Sequence, residues 1–238
     1  MIPEDLKGFA ICTSPRTGSN YLCELISSTN VLGNPDEYFN WPEGRLVDDP
    51  AHDDSVEGRL RIALSNGQTQ NGIYGLKLFA HQHDIISSKI HWRSYLPNLS
   101  FVFLTRRDLI GQAISWALAV QTGKFRSNQD AFGEPDYDSD LIEELLLEIV
   151  KENARWQLYF AAAGIQPLSF VYEDVISDPK QSLAKLGALM GLNESPLPTL
   201  SSVVISKQRS KLNCSWKERF IADHQDREKL HRLCDCYA

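Results

Sequence analysis

The chain has 238 residues and a formal charge of −7, with 42% hydrophobic and 23% charged residues. That composition is close to ordinary globular usage, and the chain is long enough to bury a sizeable core. The acidic balance argues against broad nucleic-acid binding, which needs a basic footprint to neutralise phosphates, so no nucleic-acid partner is expected.

No stretch approaches the ~18 to 20 apolar residues of a membrane-crossing helix. The start, MIPEDLKGFAICT, has acids before a short apolar run and no basic segment, unlike a secretion signal. A soluble, cytoplasmic protein is expected. The cysteines, Cys12, Cys23, Cys214, Cys234 and Cys236, are odd in number and show no two-residue spacing. They read as reduced thiols rather than a disulfide framework or metal site.

The first apolar run, Lys7 to Thr13, leads into Ser14-Pro15-Arg16-Thr17-Gly18-Ser19 and then the helical spacing of Tyr21, Leu22, Leu25 and Ile26. This is a strand, a loop and a helix. Residues 40–70 are rich in Asp, Pro, Gly and Ser and read as a long connection with a helix around Val56 to Leu64. Ile73 to Phe79 and Leu99 to Leu104 are short enough to be buried strands. Asp108 to Thr122 has helical spacing and an acid at its start. Residues 121–140 are polar, and a long helix follows from Leu141 to Ala163. Pro167 to Tyr172 reads as a fourth strand, and Asp178 to Met190 as a helix with Pro179 at its first position. Strands alternating with helices predict an α/β fold: a central parallel sheet flanked by helices, in a single domain over 1–238.

A strand-to-helix turn gathers unpaired backbone N–H groups and the positive end of a helix dipole at one point, which suits a phosphate. Gly18 permits close approach, Ser19 offers a hydroxyl, and Arg16 adds a fixed charge. The loop lacks the glycine and lysine of a Walker motif. At the end of the third strand stand Arg106 and Arg107, on the edge of the sheet where doubly wound folds bind ligands, with Ser115 two turns into the next helix. Lys77 lies within an apolar strand, where an ammonium must be paired or aimed at a ligand. Trp41, Trp92, Trp116 and Trp156 read as core or pocket aromatics, with Trp116 nearest to a pocket.

With TSPRTGSNYLCELI at 13–26, GNPDEYF at 33–39, YGLKLF at 74–79, RRDLIGQAISWALAVQT at 106–122 and VYEDVISDPKQSLAKLGALMGL at 171–192, the chain resembles the sulfotransferase family. Within it, the likeness is to the bacterial carbohydrate branch, the trehalose and Nod-factor type. The resemblance implies a P-loop-like nucleotide-binding fold and 3′-phosphoadenosine 5′-phosphosulfate as donor, with no metal. It implies a carbohydrate or glycolipid acceptor reached through the 40–70 and 121–140 segments, and by analogy a homodimer. It assigns Arg16, Thr17, Gly18, Ser19 and Asn20 to the 5′-phosphosulfate, Tyr21 to the adenine, and Arg106 with Ser115 to the 3′-phosphate; Arg107 competes with Arg106 by spacing. It places a late loop over the nucleotide, for which Gln208-Arg209-Ser210 and Trp216-Lys217 are the candidates.

Glu37 matches the branch's general base, with Asp36, His81 and His83 as alternatives. Arg16 and Lys77 join Glu37 as the catalytic set. Asp108, Tyr172, Glu173, Asp174, Asp178 and Pro179 also match but read as architectural. A P-loop nucleotide kinase and a catalytically silent phosphonucleotide-binding module are the competing readings.

Overall fold

The structure is a computed structural model, and it describes residues 6–40, 55–125, 130, 132–199 and 211–224. Its first unit comprises the described residues up to Arg107 and those from Glu152 to Thr199. Four parallel strands, β1 (Lys7–Thr13), β2 (Ile73–Phe79), β3 (Asn98–Thr105) and β4 (Leu168–Val171), form a sheet in the order β2-β1-β3-β4. The register pairs Lys7 with both Ile73 and Asn98, and Val102 with Leu168.

Each strand is apolar on both sides because both sides are covered. Phe9, Ile11, Ile73, Val102, Leu104 and Phe170 pack with α1 (Ser19–Ser27), α7 (Tyr172–Ser177) and α8 (Pro179–Leu189). Ala10, Cys12, Tyr74, Leu76, Leu78 and Phe103 pack with α2 (Val56–Gly67), α3 (Ala80–Ser87), α4 (Trp92–Tyr95) and the later part of α6 (Ser139–Ala163). Leu25, Ile26 and Leu76 are wholly buried, each contributing about 1.5–3 kcal/mol by leaving water.

From β1 the chain crosses to β2 on one side, whereas from β3 it crosses to β4 on the other. The carboxyl ends of β1 and β3 therefore flank a topological switch point, the place where open α/β sheets bind ligands. The outer edge of β2 is dressed by the connection after α1. The Lys77 N–H donates to the Asp36 carbonyl at 3.1 Å, and the Asn34 N–H to the Gly67 carbonyl at 2.8 Å. Gly75 makes this approach possible, since a Cβ there would lie 2.9 Å from Pro35.

The second unit holds α5 (Leu109–Thr122), residues of α6 through Lys151, and α9 (Lys211–Asp223). Ala113, Ile114 and Ala117 form one apolar cluster with Ile142, Leu145, Ile149, Trp216 and Phe220. Among the described residues, no helix is long and apolar enough to cross a membrane, and Cys12, Cys23 and Cys214 are free thiols.

The sequence-predicted strands agree with the structure to within one residue at each end. Asp108 and Asp178 are helix caps, accepting from the Gly111 and Gln181 N–H groups. The short helices α3, α4 and α7 are additions to the sequence reading, because one or two turns give too little apolar periodicity to read. His81 and His83, which follow the second strand, sit on α3. Trp216 and Lys217, expected on a loop over the nucleotide, sit on α9. There Trp216 is 5% exposed in the core and Lys217 pairs with Asp108 at 2.6 Å. The apolar residues Trp216 and Phe220, four apart, are the helical signal that the loop reading passed over. Trp92 and Trp156 are core residues. Arg209, with Gln208 and Ser210, lies outside the described residues, as does Trp41.

Candidate active site

β1 delivers the chain into a turn over residues 14–18 that is tied down from below. The buried hydroxyls of Thr13 and Thr17 lie 2.6 Å apart, and the carbonyls of Leu104 and Ser14 are each 3.0 Å from one of them. The indole Nε1 of Trp156 donates to the Thr13 carbonyl at 3.0 Å. Two residues of the turn adopt left-handed backbone, Arg16 at φ 61° and Gly18 at φ 93°. For arginine that conformation costs about 1–2 kcal/mol, the kind of strain that functional loops retain.

Gly18 is required twice over, because a Cβ there would also overlap the Tyr172 ring. No side chain caps α1 at Gly18, so the first N–H groups of the helix and the positive end of its dipole face the turn.

A buried ion pair adjoins this turn. The Lys77 Nζ is 2.6 Å from Glu37 Oε1, with the lysine 1% and the glutamate 18% exposed, and 2.5 Å from Asn20 Oδ1 in the first turn of α1. Of the two expectations for an ammonium inside an apolar strand, a partner or a ligand, the structure shows a partner, a carboxylate on the 33–40 connection. Glu37 is oriented in turn: its N–H donates to Asp36 Oδ1 at 2.8 Å, and the Asn40 amide donates to its second oxygen at 3.2 Å. Asp36 itself serves the turn geometry and the β2 edge.

On the other side of the switch point, Arg106 is 12% exposed and donates from its guanidinium to the Arg16 carbonyl at 3.2 Å. Its guanidinium carbon lies 5.3 Å from the centroid of the Tyr172 ring, and Glu173 Oε1 is 3.9 Å away. Burial lowers the Arg16 pKa, the neighbouring Arg106 charge lowers it further, and Glu37 opposes both. Two cations held this close repel, and an anion between them relieves the repulsion. Arg107 points elsewhere: it is 59% exposed and bonds Asp174 at 2.6 Å.

Arg16, Thr17, Gly18, Ser19, Asn20, Glu37, Lys77 and Arg106 therefore gather around one strand-to-helix turn. Tyr21 stands at its rim, half-buried and edge-on to Tyr172 with centroids 6.5 Å apart. Ser115 lies on α5 in the second unit. Tyr172 and Glu173, read from the sequence as architectural, border the site. The signal that could have found them is their place at the carboxyl end of β4. His83 is 3% exposed, packed on Trp92, Trp156 and Tyr159 at 4.2–5.7 Å, which removes it as a base. Among the described residues no cluster of metal-ligating side chains occurs.

Comparison with known proteins identifies the family. A trehalose 2-sulfotransferase of Mycobacterium tuberculosis is 23% identical over 92% of this chain and 96% of its own length. The Mycolicibacterium smegmatis protein of the same name is 21% identical over 91% and 95%. Among solved structures, a sulfotransferase from Alicyclobacillus acidocaldarius aligns with a TM-score of 0.47 and 11% identity, over 91% of this chain and 93% of that one. The sulfotransferase domain from the curacin biosynthetic pathway aligns with a TM-score of 0.47 and 13% identity, over 80% and 75%. The family model of the Stf0 sulphotransferases matches residues 8–223, a span that includes the turn, the ion pair and the switch-point arginine, and the chain belongs to that family of sulfuryl-transferring enzymes.

Proposed function

We propose that the enzyme transfers the sulfuryl group of 3′-phosphoadenosine 5′-phosphosulfate to a hydroxyl of a neutral carbohydrate, free or carried on a glycolipid. The observation that carries this reading is the placement of a carboxylate, Glu37, and its lysine beside the uncapped end of α1. That placement puts a proton acceptor next to an anion-binding turn. The trehalose enzymes among the relatives make a sugar the acceptor class to test first, and the formal charge of −7 disfavours a polyanionic glycan.

In the proposed step, the acceptor oxygen attacks sulfur as the bond from sulfur to the 5′-phosphate oxygen breaks. The hydroxyl proton passes to Glu37, and 3′-phosphoadenosine 5′-phosphate (PAP) departs. The charge that grows on the leaving oxygen falls to Arg16 and the N–H groups of residues 17–20, a preorganised electrostatic contribution. Lys77 orients Glu37 and adds positive charge near the transferred group. Arg106, at the carboxyl end of β3, takes the 3′-phosphate, and Tyr21 lies against the adenine. A sulfuryl group carries less charge than a phosphoryl group, so these fixed cations suffice.

The test is incubation with ³⁵S-labelled donor and a panel of sugars, trehalose among them. Formation of a labelled sugar with equimolar PAP is expected. Magnesium-dependent phosphate transfer from ATP, with none from the sulfuryl donor, would refute the reading.

A further inference from the structure

Beyond the turn, the carboxyl end of β2 carries a second organised group that the proposed chemistry does not use. Glu152, at 5% side-chain exposure, is buried on α6. A buried carboxylate is costly unless several donors meet it. Here the Ala80 N–H reaches Oε2 at 2.6 Å, the His81 N–H reaches Oε1 at 3.2 Å, and Arg155 Nη1 reaches Oε1 at 3.2 Å. His81 Nδ1 is the fourth, 3.1 Å from Oε1. Since the carboxylate accepts, Nδ1 carries a proton, and in the neutral ring it is Nε2 that presents a lone pair.

The imidazole is nevertheless 49% exposed, and Nε2 meets no partner among the described residues. Its plane is fixed by stacking on Phe79, with centroids 5.7 Å apart and 26° between the rings. Phe79 is partly exposed, and its ring lies 5.7 Å from Lys77 Nζ. One continuous series of contacts thus runs from Glu37 and Lys77, across the Phe79 ring, to an exposed imidazole held in one tautomer. An exposed ring normally keeps its rotamer freedom, and immobilising it costs free energy. Here a buried carboxylate and a stacked ring have already immobilised it, which is what preorganised recognition of a ligand requires.

We propose that Phe79 and His81 form the subsite for the non-reacting part of a neutral pyranoside acceptor. His81 Nε2 accepts a hydrogen bond from a sugar hydroxyl, the two rings offer an aromatic surface to the sugar's C–H groups, and Glu152 is the positioning residue. The inference rests on the sulfuryl-transfer reading and names the recognition element of its acceptor.

The test uses the full chain saturated with PAP, titrated calorimetrically with trehalose and with methyl α-D-glucopyranoside, and followed by steady-state transfer. His81→Phe keeps the stack and removes the acceptor, whereas His81→Gln keeps an acceptor oxygen near the Nε2 position. The wild type is expected to bind at least one sugar. His81→Phe is expected to weaken that affinity, and raise the acceptor KM, by about 5- to 20-fold, the value of one neutral hydrogen bond. PAP affinity and kcat stay within twofold, and His81→Gln recovers most of the loss.

Unchanged sugar affinity in His81→Phe overturns the subsite, as does a fall in kcat without a change in KM. Parallel loss of PAP affinity in both variants overturns it too, because the imidazole would then support the turn instead. A wild type that binds PAP but neither sugar also refutes the pyranoside assignment and leaves the donor site standing. A wild type that binds no PAP refutes the sulfuryl-transfer reading itself.

Discussion

Replacing Glu37 by glutamine separates the chemistry of the carboxylate from its role in the ion pair. Lys77 is 1% exposed and Glu37 18% exposed, 2.6 Å apart. Removing one partner of a fully buried pair costs about 3–5 kcal/mol. The cost here is smaller, because the new amide retains an oxygen for the ammonium, Asn20 Oδ1 remains 2.5 Å from it, and the glutamate side is partly wet. A loss of about 2 kcal/mol is expected, which lowers the melting temperature by about 4–8 °C for a chain of this size. A typical domain has about 5–15 kcal/mol in hand, so the variant folds.

If Glu37 is the base, turnover falls by roughly 10²- to 10⁴-fold, equivalent to about 3–5 kcal/mol of barrier, while PAP affinity holds. The decisive variant is the double replacement Glu37→Gln with Lys77→Met, which removes the buried ammonium together with its partner. Thermal stability should recover in part, since no charge is left buried and methionine fills the lysine's volume, while the amide at 37 stays partly wet. Turnover should stay at or below that of Glu37→Gln alone. Calorimetric melts and single-turnover transfer of ³⁵S to a sugar measure the two quantities on the same samples. A double variant that transfers sulfuryl more than tenfold faster than Glu37→Gln would refute the argument, because the stranded lysine would then explain the loss.

Arg16→Ala should slow transfer by about 10²- to 10³-fold through lost stabilisation of the leaving oxygen, and Arg16→Gly should be equally slow yet more stable by about 1 kcal/mol, because φ 61° suits glycine. Melts and kinetics that rank the two variants otherwise count against it. Arg106→Ala should weaken PAP more than tenfold while sparing adenosine 5′-phosphate, and Arg107→Ala should change neither by more than twofold, since Arg107 is engaged by Asp174; calorimetry with both nucleotides decides. Burial lowers the His83 pKa, while Asp84 pulls it up and Arg155 pushes it down. The depressed value makes the neutral ring's contribution complete above the unfolded pKa of about 6.5 and lost as pH falls through the lower folded value. Stability should therefore fall as pH drops below about 6.5, and His83→Phe should flatten that decline in melts taken across a pH series.

The strands and caps were legible in the sequence because they depend on near neighbours. Lys7 to Thr13 and Ile73 to Phe79 are apolar on both sides of the pleat, which only a sheet covered on both faces tolerates. Asp108 and Asp178 each stand three residues before the N–H they cap. The strand-to-helix turn was legible too, as a strand, a Gly18 and a helix in immediate succession. Burial cost alone said that Lys77 needs a partner.

Which partner it has was decided by tertiary structure, through the path of residues 33–40 along the β2 edge. That Arg106 reaches the Arg16 carbonyl while Arg107 bonds Asp174 also came from the fold. Adjacent strand-end residues point to opposite sides, and only the strand order and the position of α7 tell which side faces the turn. His81 and Glu152 are separated by 71 positions, and Gly18 meets a Tyr172 ring that belongs to another strand's end. Such pairs follow from crossovers between parallel strands, and those long connections leave no periodic trace in the residues they bring together.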